Sequence, residues 1–190
     1  MVRFLSHENK IWVFSEGRIV LNKFIRGVID GSLSTLGIVI GASSASIPII
    51  LAAGLGGTVA NSLSNFLGSF FAERSDKIET IERIETAMVT KEMEGSKLDQ
   101  ELEERTIKAS LTDATATLIG GLLPIMPYLF LSIPDALILS TTLVILVVSI
   151  VGAYLGKKAK ENIFLSVSKM VTFGVGIATA IYLLQKFIIP

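Results

Sequence analysis

Residues 31–72 contain no acidic, basic or histidine side chain, a charge-free run of 42 positions. A helix needs about 20 mainly apolar residues to cross a bilayer, so the run is long enough for two. Residues 114–134 and 136–156 are charge-free over 21 positions each, and 170–185 over 16. Charged residues make up only 18% of the chain and the mean hydropathy is +0.65, against about 25% charge in an ordinary soluble domain. These blocks predict an all-α integral membrane protein.

The long run is interrupted at Ser43-Ser44-Ala45-Ser46-Ile47-Pro48, where proline disfavours helix geometry in the residue before it. Two spans, 26–45 and 48–72, are expected there. Three more follow at about 109–131, 135–156 and 163–187, giving five transmembrane helices. Lys and Arg number five up to Arg26, seven in 73–108 and three in 157–162, while the loops at 43–48 and 132–135 have none. By the positive-inside rule the N-terminus is expected in the cytoplasm and the C-terminus on the opposite side, with the plasma membrane as the location. The expected organisation is an N-terminal cytoplasmic or interfacial segment (1–25), transmembrane helices 1–2 (26–72), a cytoplasmic acidic helical hairpin (73–108) and transmembrane helices 3–5 (109–190). Apolar residues among charges at 11–24 fit a short amphipathic helix or a plain anchor, and the segment lacks the apolar core of a signal peptide.

Whole function classes fall on composition. Seventeen bases balance 17 acids, so there is no basic footprint for nucleic acid. Cysteine is absent and His7 is the one histidine, which removes thiolate chemistry, a multi-histidine metal site within one chain and a histidine-based triad at membrane depth. No nucleophile–base pair or cofactor motif points to an enzyme, and no permanently bound cofactor is expected.

The hairpin segment 73–108 holds 11 acids and seven bases. Glu79, Glu82 and Glu85, and then Glu101 and Glu104, recur at three-residue spacing, which puts carboxylates on neighbouring positions of a helix face. Two such faces opposed across a hairpin form an oxygen cage suited to hard or borderline divalent ions. The same residues also fit a solvated face, because Glu73–Lys77, Glu79–Arg83, Glu101–Arg105 and Glu104–Lys108 are favourable acid-to-base pairs at i, i+4. Glu82 and Glu85 lack such a partner. Gly95 suits a helix end, and Ser96 with Asp99 resembles a helix start.

Within the spans, Asp30 is the one acid in residues 26–72, and an ionisable group at membrane depth marks a functional site or a structural pair. Its structural alternative is a pair with Arg26 one turn earlier. Asp113, one turn inside the third span, reads as a cap or an interfacial group. Asn61, Ser64, Asn65 and Ser69 form a polar, small-residue stripe, which serves either close helix packing or an aqueous path.

Asp30-Gly31 with Gly37 and Gly41, the run Ala60 to Phe70, Gly120-Gly121-Leu122-Leu123-Pro124, and Lys169-Met170 with Gly174 and Tyr182 together resemble the vacuolar iron transporter family over all five spans. The resemblance implies a homodimer in the lipid bilayer that moves Fe²⁺ or Mn²⁺ out of the cytosol, in exchange for protons. It also implies a path between the first two spans, through Asp30, Asn61, Ser64, Asn65 and Ser69, with metal collected by Glu79, Glu82, Glu85, Glu101 and Glu104. The family's second span carries a methionine and a glutamate where this chain has Asn65 and Ser69, so the chain resembles a divergent member. The alternative function is a non-transporting membrane scaffold or metal-sensing protein that retains the fold.

Overall fold

The computed structural model describes residues 7–88, 93 and 95–188, with side chains from Gly17 onward except those of Met88 and Ile188. Five α-helices follow one another: α1 (His7–Gly41), α2 (Ile47–Met88), α3 (Lys97–Leu122), α4 (Ile133–Ala159) and α5 (Ile163–Ile188), with a 3₁₀ turn at Met126–Leu129 before α4. No strand occurs among the described residues.

Four stretches are long and apolar enough to cross a membrane: Gly17–Gly41, Ile47–Ala87, Ile133–Ala159 and Ile163–Phe187. The expectation of five spans therefore narrows to five helices, of which four meet that standard. The exception is α3, which packs against α1 and α2 more extensively than any other pair of helices meets. Its inner face is polar, with Thr106, Ser110, Asp113 and Thr117 all buried. A helix sheltered by its neighbours need not be apolar, because they, rather than lipid, solvate its side chains.

The helix bounds correct the expected ones at two places. The first helix begins by His7 rather than at 26 and has no separate amphipathic helix at 11–24. Gly17 and Gly27 are the glycines around the junction, and each interior glycine costs only about 1 kcal/mol. At the other place α3 stops at Leu122 rather than near 131. Pro124 has no N–H to give to the Gly120 carbonyl, which accepts from Leu123 instead. The Pro124 carbonyl, left outside any helix, is taken by Ser140 Oγ at 2.6 Å.

At the far end of α2 the chain runs past residue 72 without a break and packs against the start of α3. Gly95 has φ +77°, a conformation that glycine adopts without strain. Its N–H donates to Asp99 Oδ2 at 3.0 Å while Asp99 N–H donates to Ser96 Oγ at 3.2 Å. This is a reciprocal cap with aspartate in place of the usual glutamate.

The apolar core lies at the other end, where Leu36, Val39 and Ile40 of α1 meet Ile50, Ile125, Tyr128 and Val144. Between core and hairpin, α1 and α3 approach at backbone distance. A Cβ on Gly31 would overlap the Thr117 carbonyl oxygen, and one on Gly27 would lie 2.6 Å from the Asp113 carbonyl oxygen.

Candidate ion path

Asparagine and serine weaken a helix in water by competing for its backbone. In α2 the side chains of Asn61, Ser62 and Asn65 instead reach neighbouring helices. Asn61 and Asn65 both donate to Asp30 Oδ2, at 2.9 and 2.7 Å. The second N–H of Asn61 goes to Ser34 Oγ at 2.8 Å, and that of Asn65 to Thr117 Oγ1 at 2.8 Å. Each amide has two donors, so both are fully engaged. Among the described residues, Asp30 Oδ1 and the two amide oxygens have no protein partner. The Asp30 carboxylate is thus held by two amides through one of its oxygens, where α1, α2 and α3 meet. An open groove of about 500 Å³ between α1 and α5 reaches this point, lined by Arg26, Asp30, Ser34, Leu33, Phe173 and Ile177 among others.

Arg26 is not the partner of Asp30. It donates to Asp113 Oδ2 on α3. Asp113 is fully buried, and a buried carboxylate without a counter-charge is strongly destabilising. The glycine contact at Gly27 brings α3 close enough for Arg26 to supply that charge. Asp113 is therefore an interior ion-pair member rather than a cap.

The other path residues divide. Ser64 is exposed on the outer side of α2. Ser69 is 2% exposed, and its Oγ has no hydrogen-bond partner. Several members of the polar seam escaped sequence reasoning. Ser62 Oγ donates to the Ala114 carbonyl at 2.7 Å, and Thr35 and Thr58 share a buried hydroxyl contact at 2.8 Å. Below Ser69, Glu73 joins Lys23 Nζ at 3.1 Å and Arg105 at 3.6 Å. One available signal was the spacing of Arg26, Asp30 and Ser34, which places three polar residues one turn apart on α1.

In the hairpin, Glu82 and Glu85 line a cavity of about 330 Å³ together with Arg74, Lys77, Asp99 and Glu103. Lys77 sits between the two acids of α3, 2.8 Å from Asp99 Oδ1 and bonded to Glu103 Oε2. The Lys77 ammonium and the Gly95 N–H hold the Asp99 carboxyl below the usual carboxylate range. Glu79 pairs with Arg83, Glu101 with Lys97 at 3.8 Å, and Glu104 is exposed. The acids of α3 that share a cavity with Glu82 and Glu85 are thus Asp99 and Glu103, not Glu101 and Glu104. Leu102, 3% exposed, sets the inner face of α3 at this level. Among the described residues, no three acids or histidines are grouped so as to hold a metal ion.

A model of the VIT family matches residues 21–95 and 77–186, two stretches that overlap in the hairpin. An uncharacterized protein of Methanocaldococcus jannaschii is 39% identical over 166 residues, covering 85% of this chain and 86% of its own length.

Proposed function

We propose, from the premise that this chain belongs to the vacuolar iron transporter (VIT) family, that it carries Fe²⁺ or Mn²⁺ out of the cytosol across the plasma membrane, in exchange for protons. Family membership points to metal-ion transport and to an integral membrane protein. The ion, the coupling and the membrane are this proposal's own.

The observation that carries it is the Asp30 carboxylate, fixed by Asn61 and Asn65 within helices of membrane-crossing length. Carboxylate and amide oxygens suit a hard or borderline divalent ion. In a homodimer, Asp30 and its symmetry mate would supply two negative charges, enough to balance one M²⁺. A proton and the metal would compete for the same carboxylate oxygens, which would couple the one to the other. On this reading the hairpin lies in the cytoplasm and gathers ions through Glu82 and Glu85 with Asp99 and Glu103, the metal displacing Lys77 from between the acids.

The deciding experiment is Mn²⁺ uptake by liposomes containing the purified protein, with a proton gradient imposed. Uptake no faster than in protein-free liposomes, with metal still bound, would favour the scaffold or sensor reading instead. For the hairpin, the Glu82→Ala, Glu85→Ala double variant should bind Mn²⁺ at least about tenfold more weakly, a change of some 1.4 kcal/mol, with an unchanged helical spectrum. Equal affinity would make the acidic face a solvating one. In intact cells, a cysteine placed at Ser44 should react with an impermeant thiol reagent and one at Gly95 should not. The reverse pattern would invert the orientation.

A further inference from the structure

Asn61, Asn65, Ser69, Glu73 and Lys77 follow one another along α2 at strict four-residue intervals. At 1.5 Å per residue the row is about 24 Å long, and it joins the Asp30 site to the hairpin cavity. Both asparagines hold Asp30, and Lys77 holds Asp99 and Glu103. The middle of the row differs. Glu73 is 6% exposed and ties three helices together, through Lys23 of α1 and Arg105 of α3. One turn further in, Ser69 is buried with its hydroxyl unpartnered, and Arg105 Nε is likewise buried without a partner.

We propose that the Lys23–Glu73–Arg105 bridge is the closed hairpin-side gate of the path to Asp30, and that an incoming divalent cation opens it by drawing Glu73 away from the two bases. The proposal rests on the transport reading above. Two features argue for it. The cluster carries two positive charges and one negative, so a cation leaving the hairpin meets net repulsion until the bases move. The closed arrangement is also incompletely satisfied, since two buried polar groups make no hydrogen bond, and such groups favour any rearrangement that partners them. With Glu73 released, its carboxylate and the Ser69 hydroxyl become oxygen ligands one turn apart, between the hairpin acids and Asn65. A surface ion pair would have neither property. This one has a buried carboxylate and half-buried bases, and it lies within a row of polar side chains on α2 that runs between the two sites.

The chain has no cysteine, so Ser69→Cys introduces a single thiol whose labelling reports the gate. The full-length protein in liposomes is treated with an impermeant thiol reagent on the hairpin side, with Gly95→Cys marking that side. Labelling of Ser69→Cys should be slow. Adding Glu73→Gln, or saturating Mn²⁺ without a second substitution, should speed it roughly tenfold from the hairpin side, as a shift toward an open population requires, and leave the other side unchanged. Lys23→Met, which leaves Glu73 paired with Arg105 and the charges balanced, should give an intermediate rate, and Glu73→Asp should restore the slow one. Should Glu73→Gln fail to fold, Mn²⁺ and Lys23→Met decide the matter. Labelling indifferent to both, in a protein that transports, overturns the gate alone. Labelling that responds as expected in a protein without flux keeps the closure and retires the transport reading.

Discussion

Liposomes containing the Asp30→Asn protein should take up no more Mn²⁺ than protein-free liposomes, although the variant still folds. The fold should survive because an asparagine oxygen can still accept from Asn61 and Asn65. Exchanging a charged for a neutral acceptor costs about 1 kcal/mol per hydrogen bond. No base loses its partner, since Arg26 is bound to Asp113. What disappears is the only formal charge in residues 26–72 other than that of Arg26 itself. Neutral amide and hydroxyl oxygens cannot balance a divalent cation in a medium where charge is costly.

Arg26→Gln should give the opposite pattern. It strands the buried Asp113 carboxylate, and because Arg26 itself is 56% exposed the cost falls below the roughly 3–5 kcal/mol of breaking a fully buried pair. Its defect should therefore appear as loss of folded protein, with flux per folded molecule closer to normal. Parent-like uptake through Asp30→Asn would remove Asp30 from the path. Equal instability of the two variants would restore Arg26 as its structural partner.

The helices were legible because charge-free runs and proline breaks are local properties. The breaks at 43–46 and near 160 fall where residue order implies. The character of α3 was less legible, because its polar residues are tolerable only where α1 and α2 enclose them, and enclosure is not a local property. The same holds for the site. Asp30, Asn61 and Asn65 could be picked out as polar groups in apolar surroundings, and the structure brings them together. Ser64 could not be separated from Ser62 without the phase of α2, and it is Ser62 that faces α3.

In the hairpin, i, i+4 pairing anticipated Glu79–Arg83 but assigned Glu73 to Lys77 and Glu101 to Arg105. Glu73 instead bonds Lys23 and Arg105 across helices, and Lys77 bonds Asp99 and Glu103. A partly buried pair between packed helices is less screened than a neighbour on an exposed face, so the long-range pairs prevail. Sequence spacing carries no information about them.

The second large effect concerns packing rather than charge. Gly31→Ala, the smallest substitution available, should destabilise the protein by about 3 kcal/mol or more, at the upper end of overpacking costs. For a chain of this size that lowers the melting temperature by roughly 6–12 °C. The added methyl would overlap the Thr117 carbonyl oxygen and lie 2.8 Å from the Gly121 nitrogen. Both are backbone atoms of α3, so no side-chain rotation relieves the clash and the helices must part. Parting them also stretches the Arg26–Asp113 pair and the Asn65 bridge from Thr117 to Asp30, so Mn²⁺ uptake should fall together with stability. Gly176 on α5 has nothing within 4 Å of an added Cβ. There, exchange for alanine should be neutral or stabilising by up to about 1 kcal/mol, the difference in helix propensity. Thermal unfolding of the two variants in the same detergent separates the effects. A Gly31→Ala protein that melts with the parent would mean that α1 and α3 do not meet at this glycine, and the coupling between their packing and the Asp30 site would fail with it.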